Sequence, residues 1–334
     1  MKPVYSIVVP IYNEEAVLPV LLRRLDALLD QLDAPAEAIL VDDGSTDTTS
    51  IFCEAKARAD NRYRFLRLSR NFGQQMAITS GVDRASGDAV IVMDADLQDP
   101  PEVVHDMIVQ WKAGYEVVYA ERLSRAGEGR FKKLTSNLFY RLLDRLSPFH
   151  MPRNVSDFRL VDRKVVDAFR AMPERDRYVR GMFTWIGFRQ TAVRFHRPAR
   201  AAGETKYSTA KLLRVAMNGV FSFSDAPLRL ALWTGMAVSI LAMLYGCWVI
   251  GRWVTHPDIL PGWSSTIVVV AFLGGANMMM TGIMGLYVGR IHAEVKGRPL
   301  YIIDKAVGFY GAEAVASMQT KSTFVAARGS RGKK

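Results

Sequence analysis

The stretch Ala89-Val-Ile-Val-Met-Asp94-Ala-Asp96-Leu-Gln98-Asp99 sets two carboxylates, one residue apart, directly after an apolar run of strand length. A short continuous apolar run is how a buried parallel strand reads. Ligands of open α/β sheets gather outside the carboxyl ends of such strands, which puts Asp94 and Asp96 at the mouth of a crevice. Hard divalent cations take oxygen ligands and often use one or two carboxylates plus substrate phosphates, and Asp94, Asp96 and Gln98 offer that kind of partial cage. A plainer reading is a solvated acidic turn ahead of Pro100 and Pro101, since Asp and Pro both favour turns.

The elements that would carry this edge alternate along the first third of the chain. Ser6–Pro10 reads as a strand, followed by Tyr12, Asn13 and Glu14. From Val17 to Leu32 the residues Leu18, Leu21, Leu22, Leu25, Leu28 and Leu29 recur at helical spacing. Ala38–Val41 is a second strand, ending in Asp42-Asp43-Gly44-Ser45-Thr46-Asp47, where Gly44 permits a tight turn and a hydroxyl or carboxylate can cap the next helix. Tyr63–Leu68 leads to Arg70 and Asn71, a helix spans Gln74–Ala85, another follows Pro101 to about Ala113, and Val117–Ala120 is a fifth strand. This alternation predicts a doubly wound, mostly parallel sheet whose strand ends deliver polar residues to one edge. Neither a dinucleotide fingerprint nor a P-loop is present. One residue of the Asp42-Asp43 pair suffices for capping, which leaves the other to explain.

At 334 residues the chain has room for two domains. A hydrophobic fraction of 49% beside 23% charged residues suggests a polar domain joined to an apolar one. The net charge of +11 points to nucleic acid, anionic lipid or phosphorylated substrates without choosing among them. Cys53 and Cys247 lack metal-ligand spacing, so a reducing compartment is the simpler expectation for the main domain. No signal peptide is expected, because Met1-Lys-Pro-Val-Tyr runs straight into a strand.

Three segments, Val8-Val-Pro10-Ile-Tyr12-Asn13-Glu14, Val41-Asp42-Asp43-Gly44-Ser45-Thr46-Asp47 and Met93-Asp94-Ala-Asp96-Leu-Gln98-Asp99-Pro100-Pro101, carry a resemblance to family 2 glycosyltransferases of the GT-A fold. More narrowly the chain resembles polyprenyl-phosphate glycosyltransferases of the dolichol-phosphate-mannose synthase and bacterial GtrB type, to about Gly311. The resemblance implies a Rossmann-like catalytic domain over 1–207 and a metal, Mg2+ or Mn2+, on Asp94, Asp96 and Gln98. It implies donor recognition by Pro10, Tyr12, Glu14, Asp42, Asp43, Arg70 and Asp94. Ser156-Asp157-Phe158-Arg159 matches the family segment whose Asp is proposed as catalytic base. A phosphate monoester is already largely dianionic at neutral pH, its second pKa being about 6. Asp157 therefore has an alternative role, orienting the acceptor through Arg159 or a neighbouring cation. Gly203-Glu-Thr205-Lys206-Tyr207 is similar to the family's loop over the donor diphosphate, with Thr205 in place of the common Ser and Lys206 set to offset charge on the leaving group.

Arg122, Arg125 and Lys133, with Arg159, are the candidates for an acceptor phosphate. Leu134, Leu138, Phe139, Leu142, Leu143 and Leu146 form one face of a basic amphipathic helix over about 132–148, which reads as a membrane-surface element or as an ordinary helix on the sheet. A juxtamembrane helix is expected over 208–227. Two transmembrane helices, about 230–250 and 266–288, are apolar for the roughly 20 residues a bilayer needs. Basic residues flank them (Arg214 and Arg229 before, Arg290, Lys296 and Arg298 after), which by the positive-inside rule predicts a multi-pass protein of the inner membrane with a cytoplasmic catalytic domain and a cytoplasmic tail over 291–334.

The leading expectation is an inverting transferase that moves a sugar, glucose from UDP-glucose, to polyprenyl (undecaprenyl) phosphate at the cytoplasmic membrane face. GDP-mannose, UDP-GlcNAc and an aminoarabinose donor share these motifs. A non-catalytic lipid-binding scaffold is the alternative from another class, which the intact acidic motifs argue against. Nucleic acid is not an expected partner, for want of a reading helix or aromatic-basic motif. The resemblance implies a homo-oligomer, a tetramer.

Overall fold

The computed structural model describes residues 2–123, 155–175, 177–195, 226–255 and 263–309. These fall into two compact units, one built on a sheet and one on two long helices.

The sheet has eight strands, β1 (Tyr5–Ile11), β2 (Ala36–Asp42), β3 (Tyr63–Leu68), β4 (Ala89–Val92), β5 (Val117–Arg122), β6 (Val155–Asp162), β7 (Gln190–Phe195) and β8 (Ile303–Val307), in the order β7-β5-β6-β4-β1-β2-β3-β8. Its centre, β4-β1-β2-β3, is parallel, and β7 runs parallel to β5. Strand β6 is inserted antiparallel between β4 and β5. The expected α/β GT-A architecture is thus present, with strands the periodicity did not reveal. One is β8, which lies in the segment expected as a tail and pairs antiparallel with β3.

Helices cover both faces. Along β1, Ile7 and Val9 join a core with Leu18, Leu21, Leu25 and Leu28 of α1 (Leu18–Gln31), Cys53 of α2 (Thr49–Ala59) and Val104 and Met107 of α4 (Val103–Lys112). Val8 points the other way, into a second core with Ala77, Ile78 and Val82 of α3 (Gln74–Arg84), Phe169 of α5 (Arg163–Ala171) and Phe183 of α6 (Val179–Trp185). The two-residue alternation of β1 thus feeds both apolar layers. Pro10 falls on the β4-facing side, two residues beyond Val8, whose carbonyl accepts Met93 N–H. The β1–β4 ladder has ended there, at Val8–Val92, so the missing N–H costs no rung.

The second unit holds α7 (Ala226–Thr255) and α8 (Trp263–Val295). Among the described residues one window, Ala231–Trp248, is long and apolar enough to cross a membrane, with a mean hydropathy of 1.5 and 6% of it buried. Leu232, Trp233, Leu241, Leu244 and Trp248 all face outward, the reverse of a soluble helix. The second expected span is helical, as part of α8, but does not add a second qualifying window among the described residues. A two-span arrangement is therefore not a finding of the structure. The expected amphipathic helix of 132–148 and the juxtamembrane helix up to residue 225 lie outside the described residues.

Candidate active site

The carboxyl ends of β1, β2, β3 and β4 form one rim, and hydrogen bonds tie each loop there to the next. Asn13, in the left-handed region at φ 53°, donates its N–H to Ser45 Oγ (3.0 Å) and accepts Thr46 N–H on Oδ1 (2.9 Å), joining the loops after β1 and β2. Asn tolerates that backbone conformation better than most residues. Glu14 N–H donates to Thr49 Oγ1 in the same seam. Tyr12 is exposed, at 41%.

Asp42 and Asp43 divide their work. Both oxygens of Asp43 accept backbone N–H groups, from Phe72 at 2.7 Å and Gly73 at 2.9 Å, so this residue braces the loop after β3. Burial pushes the Asp43 carboxyl up, while those two N–H groups pull against it. Asp42 Oδ1 accepts Ser45 N–H at 2.9 Å, whereas its Oδ2 is buried with no hydrogen-bond donor and has Arg67 Nε at 3.6 Å. Asp42 is thus fully buried at the end of β2, where it fixes the turn to Ser45 and faces the Arg67 guanidinium. Arg70 stays along its own loop, its guanidinium 4.0 Å above the Phe72 ring.

The acidic centre comes from β4 and β6. The pairing Val92↔Arg159 runs antiparallel, so two residues on, Asp94 and Asp157 come level past the carboxyl end of β4. The Asp94 carboxyl is held well above the usual carboxylate range, first by burial and then by the fields of Asp99, Asp157 and Asp96, with Arg122 opposing. Asp96 Oδ1 accepts Gln98 N–H at 3.1 Å across Leu97, which sits at φ 59°, unusual for a branched apolar residue. Backbone strain of this kind collects at functional sites. Gln98 is buried, at 8% exposure.

Asp157 is 8% exposed; Arg180 Nε on α6 lies 3.4 Å and Arg159 Nη2 3.9 Å from its Oδ1. Arg159 itself is 3% exposed, donates to Ser156 O, and is pushed down to about 10 chiefly by burial. It supports Asp157 from inside rather than presenting a cation to an acceptor. Arg122, also expected at the acceptor phosphate, has its Nη2 3.5 Å from Asp99 Oδ1. Arg125, Lys133, Gly203, Thr205, Lys206 and Tyr207 lie outside the described residues.

Sequence reasoning missed three site residues. Gln74 donates Nε2–H to Asp94 Oδ1 at 2.7 Å, Gln75 donates to Asp157 Oδ2 at 3.4 Å, and Arg180 pairs with Asp157 from α6. Nothing in the types of Gln74 and Gln75 sets them apart from ordinary polar residues at a helix start.

Among the described residues no group of three or more His, Cys, Asp or Glu side chains is placed to hold a metal by itself. The site still suits a hard cation: its ligating atoms are oxygens, and the fields of Asp99, Asp157 and Asp96 add to burial in disfavouring an uncompensated Asp94 carboxylate. One or two such ligands completed by phosphate oxygens is the ordinary arrangement for Mg2+.

The fold is thus a mixed, mainly parallel α/β sheet with an acidic rim at the carboxyl ends of its central strands. The family model for glycosyl transferase family 2 matches residues 6–170. The chain is 45% identical to the uncharacterized glycosyltransferase YkcC of Bacillus subtilis, over 91% of this chain and 94% of that protein. It is 39% identical to the SfII prophage-derived bactoprenol glucosyl transferase of Shigella flexneri, over 90% and 97% respectively. Among solved structures it is similar to glucosyl-3-phosphoglycerate synthase from Mycobacterium tuberculosis in complex with Mn2+, UDP and glucosyl-3-phosphoglycerate, with a TM-score of 0.47 and 22% identity over 65% of this chain and 76% of that one. The protein belongs to glycosyl transferase family 2 and is a glycosyltransferase.

Proposed function

We propose that the protein transfers glucose from UDP-glucose to a polyprenyl phosphate at the cytoplasmic face of a membrane, with inversion at the sugar carbon. The observation that carries this reading is the level placement of Asp94 and Asp157 beside Asp96 and Asp99, at a rim whose neighbouring loops Asp42 and Asp43 hold. The choice of glucose and of a bactoprenol-type acceptor is supported by the names of relatives 39% identical over 90% of the chain.

The base is received on the Asp42 side of the rim, with Pro10, Tyr12, Glu14 and Arg70 around it and Asp43 holding the neighbouring loop in place. Asp94 and Asp96, with Gln98, would hold Mg2+ or Mn2+, and the ion would supply Lewis-acid stabilisation of the leaving diphosphate. The acceptor phosphate oxygen attacks the sugar carbon from the face opposite the diphosphate; the new C–O bond forms as the bond to UDP breaks. A dianionic monoester needs no proton removed. Asp157, held by Arg159 and Arg180, then serves to orient rather than to deprotonate. Arg122, Arg125 and Lys133 are the candidates for the acceptor phosphate, and Gly203, Thr205, Lys206 and Tyr207 are the candidates, on family likeness, for the donor diphosphate.

The acceptor's hydrocarbon tail stays in lipid, which accounts for α7. We place α8 in the membrane as well, giving a two-span hairpin, and a homo-tetramer on family likeness alone. A panel of labelled sugar nucleotides with undecaprenyl phosphate and Mn2+ tests the assignment. Labelled lipid from UDP-glucose above GDP-mannose, UDP-GlcNAc and an aminoarabinose nucleotide is the expected result; transfer from another donor overturns the sugar, and no transfer from any overturns the reaction.

A further inference from the structure

We propose that Gln74 and Gln75, consecutive residues in the first turn of α3, are positioning residues that separately aim the two opposed carboxylates of the site, Gln74 fixing Asp94 and Gln75 fixing Asp157. The inference rests on the metal and acceptor roles given to those carboxylates above.

The placement of α3 is itself tightly set. Gly73, at φ 97°, turns the chain into the helix, and its N–H, with that of Phe72, is held by Asp43. The same residue that braces the base-side loop therefore fixes where α3 begins. From that anchored turn Gln74 reaches Asp94 Oδ1 at 2.7 Å, and Gln75 reaches Asp157 Oδ2 at 3.4 Å. Gln75 has a second bond, its Oε1 accepting the N–H of Val179 at 2.9 Å, which ties the first turn of α6 and hence Arg180 to the same point.

An amide suits both tasks. Four carboxylates crowd this rim, and a Lys or Arg at either position would cancel negative charge that a cation-binding site needs. A carboxylate there would add to the repulsion. A neutral N–H donor fixes one oxygen of its partner without cancelling the carboxylate's charge. Partners of this kind, one step removed from the ion, commonly govern metal affinity by about 10- to 100-fold.

The test separates the two residues by what each disturbs. Mn2+ binding to the full-length protein with UDP present is read from the electron paramagnetic resonance signal of the free ion, beside steady-state transfer. Gln74→Met, which fills the same space without a donor, is expected to weaken Mn2+ binding by about tenfold or more. Gln75→Glu keeps an acceptor for Val179 N–H and gives up the donor to Asp157; Gln75→Met gives up both. Both Gln75 variants are expected to lower kcat at unchanged donor KM, and Gln75→Met at unchanged Mn2+ affinity, with the thermal unfolding transition of each followed to confirm that it folds. Equal Mn2+ affinity in Gln74→Met and the wild type overturns the proposal, as does a kcat loss confined to Gln75→Met, which would reduce Gln75 to a helix anchor. A wild-type protein that binds no Mn2+ in the presence of UDP overturns the metal site itself, a result distinct from either.

Discussion

Gly44 lies so close to Arg70 that a Cβ built on it would sit 2.5 Å from the Arg70 carbonyl carbon, and its φ is +71°. Two loops that follow different strands touch there backbone to backbone, on the side of the rim where Asp42 and Asp43 lie. Gly44→Ala combines a left-handed conformation that costs of order 1–3 kcal/mol with a clash that only a loop shift relieves. The expected outcome is a lowered unfolding midpoint in denaturant and weaker UDP binding by calorimetry; an unchanged UDP affinity would detach this contact from donor binding.

Asp96→Ala and Asp157→Asn should differ in kind. Loss of a metal-holding carboxylate should take transfer below detection. A lost general base typically costs about 10²–10⁴-fold, whereas Asp157, already engaged by Arg159 and Arg180, is expected to cost under about 100-fold when made Asn. Rates with labelled donor check this, and equal total loss in both would restore proton removal as the role of Asp157.

Tyr301 donates its hydroxyl to Asp83 Oδ2 at 2.8 Å, which ties the segment leading into β8 to α3. Burial pushes the Asp83 carboxyl up, and the Tyr301 bond with Arg177, Arg170 and Arg84 pulls it back. Because the folded state then holds a proton the unfolded chain has released, the ionised form is a burden that grows as pH rises through the folded titration and vanishes below the ordinary carboxylate range. Tyr301→Phe removes one of the groups that ease it. The variant should lose about 1–3 kcal/mol at neutral pH and less once pH falls below the ordinary carboxylate range, measured by denaturant unfolding across that span.

Leu241 is 65% exposed near the middle of the apolar window of α7. An Arg at the centre of a spanning helix costs about 2.5–3.5 kcal/mol to insert. Leu241→Arg should shift the protein from the carbonate-resistant membrane fraction toward the soluble or aggregated one; unaltered partition would argue that α7 does not cross the bilayer.

Strands β1 to β5 and helices α1 to α4 were legible because each strand is an apolar run closed by turn residues and α1 repeats leucine at helical spacing. The acidic rim was legible for the same reason, since Asp42, Asp43, Asp94 and Asp96 directly follow those runs. Strand β6 was not, because Ser156, Asp157 and Arg159 interrupt its apolar residues although nearly all of it is buried between β4 and β5. Strand β8 was hidden by its exposed, charged edge position and by its distance in sequence from β3. Gln74 and Gln75 gave no signal of their own, because polar residues at a helix start are ordinary and only the fold brings Asp94 and Asp157 within their reach.

The central claim is that Asp94 and Asp96 grip a cation that in turn grips the donor diphosphate. Crystals grown with Mn2+ and UDP-glucose, with the metal located by its anomalous scattering, test it directly. The account predicts a manganese peak within coordination distance of the Asp96 carboxylate and of the diphosphate, with Asp94 beside it and the base at Asp42. A donor bound with its diphosphate away from both aspartates, or a metal held elsewhere, would contradict it.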